Sequence, residues 1–287
     1  MKMHPALLAA LALAACATPP SPSPNMDDAR SLAAAESAFA AHSLREDMRV
    51  AFLANFAPDG VMPRGSWVNA HEFLTPRPAP PIVLDWRPVF TEVAASGDMG
   101  LSTGPSKITS KTDASQFGYG QFVSIWKRDA GAAWRVAVDL GISHDAPVFW
   151  DAPLVTVAVA GPPASPGDTI EGAERRFADD VKAQGPRAAY AKHGSSSLRL
   201  YRTGVAPMVG KDAALAWPGL AAERQRAWIV DKSEAARSND FGYARGSYAA
   251  SPGARVAGWY LRAWHREAGA WRIAMDVTND APPPPRQ

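Results

Sequence analysis

The sequence predicts an α+β protein that carries one unit of roughly one hundred residues twice. Three observations predict it. The chain matches itself at a nearly constant offset, each copy opens with helical periodicity, and each copy closes with alternating strands.

The self-match comes first. Glu36-x-x-Phe39 repeats as Glu174-x-x-Phe177, and Phe52 aligns with Tyr190, all 138 residues apart. Trp86 and Glu92 align with Trp228 and Glu234 at 142, as Asp98-x-Gly100-x-x-x-Gly104 does with Asp240-x-Gly242-x-x-x-Gly246. Gly120 and Trp126 return to 138 against Gly258 and Trp264. Ala133-Trp134-Arg135-Val136-Ala137-Val138-Asp139 pairs at 137 with Ala270-Trp271-Arg272-Ile273-Ala274-Met275-Asp276. Chance seldom orders Trp, Gly and Asp landmarks alike twice.

In the first copy Leu32, Glu36, Phe39 and Ala40 recur at helical spacing, Met48, Phe52 and Phe56 form a second stripe, and Pro58-Asp59-Gly60 is expected to stop it. The second copy runs Ala173 to Gln184, breaks at Gly185-Pro186 and resumes through Tyr190. Near each end the pattern becomes antiparallel strand. Phe122, Ser124 and Trp126 alternate with Gln121, Val123 and Ile125. A turn over Asp129 to Ala132 follows, and then Trp134, Val136 and Val138 alternate with Arg135, Ala137 and Asp139. Apolar residues on both faces imply that both faces are covered.

The flanks carry an address. Lys2 precedes an apolar run from Ala6 to Ala15, too short to span a bilayer, which closes on Leu13-Ala14-Ala15-Cys16. That tetrapeptide resembles the bacterial lipobox, which implies lipidation of Cys16, the sole cysteine. The expected division is signal peptide 1–16, Pro-rich tether 17–26, first domain 27–146, linker 147–168 with one added strand, second domain 169–280 and a disordered tail 281–287. Ala17 after the cysteine favours, by resemblance to the enterobacterial sorting rule, the outer membrane facing the periplasm. The chain would then touch membrane through a lipid anchor only.

Helices followed by Trp- and Gly-marked strands resemble the nuclear transport factor 2-like (SnoaL-like) superfamily. Ser96-Gly97-Asp98-x-Gly100, Tyr119-Gly120-x-Phe122-Val123-x-Ile125-Trp126, Trp134-Arg135-Val136 and Asp139-Leu140-Gly141 look like its branch known as domain of unknown function 4440. The second copy departs from this, with Asp276-Val277-Thr278 at the close. The resemblance implies two tandem cone-shaped domains, each with N-terminal helices packed on a curved antiparallel sheet around a pocket. It also implies pairing through sheet faces, hence an internal pseudo-dimer. Steroid isomerases and polyketide cyclases of the superfamily use a pocket carboxylate or histidine as general acid or base.

Asp139 and Asp276, at the ends of the last strands, are the candidate acids, with His42 on the first helix as a third. Strand alternation sets the two aspartates on the face opposite Trp134 and Trp271, where a strand-end Asp ordinarily caps a turn or pairs with Arg. Phe52, Trp86, Tyr119 and Trp126, and Tyr190, Trp228, Tyr243 and Trp264, are candidate pocket walls or plain core. Tyr119 aligns with Ala257, so a role for it would belong to the first copy alone. No histidine pair has metal-ligand spacing, and no nucleophile elbow or phosphate loop is present, so neither metal nor cofactor is expected. A net charge of +2 without a long basic run gives no case for nucleic acid. The sequence favours an envelope lipoprotein that binds a small apolar ligand or an envelope partner without catalysis. The alternative is an isomerase- or cyclase-like enzyme with a pocket carboxylate.

Overall fold

A computed structural model describes residues 26–160 and 167–282. Cys16, the signal peptide, nearly all of the tether, the middle of the linker and most of the tail lie outside the described residues. The first half runs α1 (Met26–Arg45), α2 (Met48–Asn55), β1 (Phe56–Pro63), β2 (Trp67–Asn69), α3 (Ala70–Leu74), β3 (Ile82–Trp86), β4 (Phe90–Val93), β5 (Met99–Ser110), β6 (Phe117–Lys127) and β7 (Arg135–His144). The second half runs α4 (Ile170–Gln184), α5 (Pro186–His193), β9 (Gly194–Arg202), β10 (Met208–Val209), α6 (Lys211–Ala216), a 3-10 turn (Pro218–Gln225), β11 (Ala227–Ala235), β12 (Phe241–Ala249), β13 (Val256–Glu267) and β14 (Ala270–Asp280). Between them β8 (Val155–Ala158) joins the first sheet, parallel to β4.

Local chemistry accounts for these elements. Along α1 the buried positions Ala29, Leu32, Glu36, Phe39 and Ser43 follow the helical period, with Asp27 and Asp28 in the first turn and His42 and Arg45 in the last, as the helix dipole favours. Asp47 caps α2 by accepting from the Val50 amide at 2.9 Å. The break at Gly185, whose φ of 90° suits glycine, and Pro186 separates α4 from α5. Helix α2 ends at Asn55, before the expected stop. Pro58-Asp59-Gly60 instead lie inside β1, where its pairing with β7 is irregular between Phe56 and Val61, so the missing proline N–H is tolerated.

The first sheet has the order β2-β1-β7-β6-β5-β4-β8, with β3 also on β5, and the second β10-β9-β14-β13-β12-β11. The sheets are mixed rather than purely antiparallel. β1 runs parallel to β7, and β9 parallel to β14, because each strand enters from a preceding helix instead of a hairpin.

Three apolar clusters result. Leu32, Phe39, Phe52, Trp86 and Trp126 fill the space between the first helices and their sheet, and Phe177, Tyr190, Leu200 and Trp264 that of the second half. The remaining cluster joins both sheets, with Leu101, Val123 and Ile125 against Tyr201, Phe241, Leu261 and Met275. Its polar contacts are reciprocal. The Ala95 amide donates to Asp240 and the Arg237 amide to Asp98, at 3.1 and 3.2 Å, and in each pair the partners have exchanged halves. Ser96 and Ser238 meet at 2.9 Å, Glu92 meets His265, and Glu234 meets Lys127. Such reciprocity is the mark of a two-fold contact.

Phe241 is fully buried in this joint cluster. Phe241→Ala is expected to lower the unfolding free energy by about 3–5 kcal/mol, read as the urea midpoint of the full chain. A loss below about 1 kcal/mol would contradict a shared core.

Candidate functional site

Strand β7 positions the site. Trp134, just before it, and Val136 face the helices, and Val138, Leu140 and Ile142 face the second sheet. The change of face occurs at Ala137, where the pairing steps from Ile125↔Val138 to Trp126↔Val136 and leaves Ala137 extra. This β-bulge inverts the alternation. Asp139 therefore lies on the same side as Trp134, inside the first half. The same step occurs at Ala274 in β14, between Ala263↔Met275 and Trp264↔Ile273. Asp276 accordingly also points inward. Simple alternation placed both aspartates on the opposite face, and the bulge corrects that.

The two interiors then diverge. In the second half Asp276 is fully buried and accepts from Tyr190 Oη at 2.7 Å, Arg262 Nε at 2.7 Å and Arg202 Nη1 at 3.2 Å. Arg202 also donates to both oxygens of Glu223, at 2.6 and 3.1 Å. Glu174 accepts from Arg262 Nη1 and Trp264 Nε1, each at 2.6 Å. Burial opposes ionisation of Asp276, yet the Arg262 and Arg202 charges hold its carboxyl below the usual range. This interior is a paired network, in which Arg262 Nη2 is the one buried polar atom of these side chains without a hydrogen-bond partner.

The first half keeps the positions and changes the residues. Arg64 matches Arg202 in sheet register, since Val61 lies opposite Val138 as Arg199 does opposite Met275. At the positions of Tyr190 and Arg262 stand Phe52 and Ser124. Glu36 is buried and accepts 2.7 Å bonds from Trp86 Nε1 and Trp126 Nε1. Burial pushes its pKa to about 7 despite those bonds. Asp139, half-buried, accepts from Ser124 Oγ at 2.8 Å. Burial raises its pKa to about 6, with the Ser124 bond and the Arg64 charge opposing.

Beside Asp139 lies a cavity of about 570 Å³. Its apolar walls include Phe39, Phe52, Leu84, Trp86 and Phe122, with Arg64, Arg77 and Ser106 as polar members. Asn279 reaches it from the second half and donates to the Gly141 carbonyl.

Among the residues singled out from sequence, Phe52, Trp86, Tyr119 and Asp139 meet at this cavity. Tyr119 has the strand parity of Val123 and Ile125, and its ring packs on Phe117 at 5.5 Å. Trp126 lies beneath, fully buried on Glu36. Tyr190, Trp264 and Asp276 belong to the paired interior of the second half. Trp228 sits between Tyr248 and Tyr260, and Tyr243 belongs to the cluster between the sheets, donating to Glu234. His42 lies away from the cavity, 3.3 Å from Glu46 at the end of α1. Sequence reasoning missed Glu36 as a buried acid, and Arg64, Arg77 and Ser124. A charged residue recurring at the repeat offset, as in Arg64/Arg202, was the available signal. Among the described residues no cluster of His, Cys, Asp or Glu could hold a metal ion, and no helix is long and apolar enough to cross a membrane.

No protein-family model and no curated protein matches the sequence. Solved structures do resemble parts of it. An NTF-2 like protein of unknown function from Shewanella oneidensis MR-1 is 17% identical, aligns with 40% of this chain and 98% of its own, and has a TM-score of 0.32. A ketosteroid isomerase-like protein from Erwinia carotovora atroseptica is 19% identical over 40% of this chain and 95% of its own, with a TM-score of 0.29. A putative calcium/calmodulin-dependent protein kinase type II association domain from Thiobacillus denitrificans is 16% identical over 42% and 99%, with a TM-score of 0.34.

The unequal interiors give unequal sensitivities. Glu223→Gln weakens the only carboxylate pairing on one side of buried Arg202 and is expected to cost about 3 kcal/mol or more, whereas Asp139→Asn should change stability by less than about 1 kcal/mol. Both are read from urea denaturation. Glu36 holds its proton more tightly folded than unfolded, so its contribution is complete below its ordinary pKa of 4.5 and is lost as pH rises through about 7. The melting temperature of the chain should fall across that window more steeply than that of Glu36→Gln. Parallel profiles would exclude Glu36 as the cause.

Proposed function

We propose that both halves are nuclear transport factor 2-like cones, and that the first binds a small, largely apolar molecule while the second serves as its built-in structural partner. One observation carries the reading. The first interior encloses an aromatic-walled cavity where the equivalent interior of the second is filled by Arg202, Glu223, Arg262 and Asp276. Apolar cavities of this size with a few convergent polar groups are the usual form of small-molecule sites. The reciprocal contacts between sheets favour an internal pseudo-dimer, and a monomeric mass in solution is the matching expectation. The lipobox resemblance around Cys16 favours a lipid-anchored location in the bacterial envelope, with the site held off the outer membrane in the periplasm.

A second reading has its own support. The Asp139 carboxyl, near neutrality in proton affinity and facing the cavity, suits a general base that removes a proton next to a carbonyl and returns it to a neighbouring atom. That would make the first half isomerase- or cyclase-like.

Native mass spectrometry of the full chain purified from its host tests the binding reading. A bound mass of one molecule per chain is expected, lost in Leu84→Trp, which fills the cavity from its wall. Retention by that variant would place the ligand elsewhere. For the catalytic reading, deuterium exchange into 2-tetralone, followed by NMR, should rise with pH through about 6 and vanish in Asp139→Asn. Equal rates for the two proteins would leave binding alone.

A further inference from the structure

The repeat provides an internal standard for the cavity of the first half. In the second half, Arg202 is satisfied on two sides, by Asp276 of its own sheet and by Glu223 from the 3-10 turn Pro218–Gln225. Leu220 of that turn is fully buried in the same interior, so the turn acts as a plug bearing a carboxylate. In the first half, Arg64 stands at the position of Arg202 and lies near enough to Asp139 for their charges to interact, but those two are not in salt-bridge contact. The chain that follows α3, however, is Thr75-Pro76-Arg77-Pro78-Ala79-Pro80-Pro81, which contains no acid. It brings Arg77 to the cavity instead.

Both guanidinium groups are anchored but unmet. Arg64 donates to the Pro63 carbonyl at 2.7 Å and Arg77 to the Phe73 carbonyl at 2.5 Å. They share the Phe73 ring, at 5.9 and 3.8 Å from its centroid. Among the described residues neither forms a salt bridge. Arg64 and Arg77 are both exposed residues, and partial desolvation of the Arg64 guanidinium lowers its proton affinity while the Asp139 charge opposes that. Ionised Asp139 balances only one of the two arginines that line the cavity.

We infer that the first cone takes an amphiphilic carboxylic acid, its carboxylate received by Arg64 and Arg77 where Glu223 stands in the second cone, and its apolar body against Phe52, Trp86 and Phe122. Arg64 would then stand between Asp139 and the ligand, in the place that Arg202 takes between Asp276 and Glu223. Planar guanidinium groups match a carboxylate in two-point fashion, and such charge-assisted bonds are the stronger kind. The inference rests on the chamber reading of the first cone and specifies its ligand class.

Calorimetric titration of the full chain with three probes of equal chain length, decanoate, 1-decanol and decylammonium, separates the possibilities. Decanoate is expected to bind about tenfold or more tightly than decanol, the ratio expected for a charged hydrogen-bonded pair. Arg64→Gln and Arg77→Gln should each remove most of that advantage and leave decanol affinity unchanged, which also reports that the variant is folded. Arg64 and Arg77 are both exposed, so both variants are expected to fold, and the urea midpoint of each checks this. Decanol or decylammonium binding as tightly as decanoate, or decanoate unaffected by Arg77→Gln, would overturn the carboxylate inference and leave the chamber standing. Failure of all three probes to bind overturns the chamber reading, and this inference with it.

Discussion

Both sheets carry apolar side chains on both faces, and that demand organises everything else. On β6 Phe122 and Trp126 look toward the helices while Val123 and Ile125 look away, and β13 repeats the arrangement with Trp264 against Leu261 and Ala263. Helices cover one face. The other must be hidden by something of similar extent and curvature, and the second sheet meets that need. Because the two sheets derive from one repeated unit, their contacts are reciprocal, from Ser96 with Ser238 to Glu92 with His265 and Glu234 with Lys127. The sheet behind each interior is therefore braced, and what each interior contains is decided by side chains on a common frame.

The bulge at Ala137 converts that frame into a site. Without the extra residue, the parity that buries Val136 under the helices would turn Asp139 toward Leu261 and Met275, where a carboxylate would have no partner in an apolar cluster. With it, Val138 and Leu140 serve the joint core and Asp139 serves the cavity. Ala274 does the same for Asp276. A local irregularity of backbone is thus what allows one strand to satisfy the inter-sheet core and to present an acid on its other side.

This explains which parts of the molecule were legible in sequence. The order of elements, the Gly185-Pro186 break, the strand added in the linker and the aromatic lining through Phe52 and Trp86 follow from periodicity and from the repeat. The inward aim of Asp139 does not, because a bulge leaves no mark in an alternating pattern: Trp134 to Asp139 reads as one unbroken strand. The parallel pairing of β1 was hidden for a similar reason, since Pro58-Asp59-Gly60 reads as a turn until a neighbouring strand accepts its irregularity. Arg64 and Glu36 were missed differently. Arg64 stands out only once the repeat is extended to pair it with Arg202, and Glu36, already paired with Glu174, reads as part of a helix stripe and not as an acid.

Between the two interiors, the frame is constant and the chemistry is not. Tyr190, Arg262 and Glu223 complete the pairing of Asp276 and Arg202, and a buried polar network becomes tolerable once its members are satisfied. Phe52, Ser124 and the acid-free Pro-rich segment remove those three partners at once from the first interior. Asp139 then keeps its proton up to about pH 6 and Arg64 keeps donors to spare. A carboxyl group beside an apolar wall is costly unless it is paired or keeps its proton. The first half carries Asp139 at that wall, with the exposed Arg64 and Arg77 beside it around the cavity. That arrangement leaves polar groups available around an apolar cavity in the first half, where the second half pairs the equivalent groups with one another.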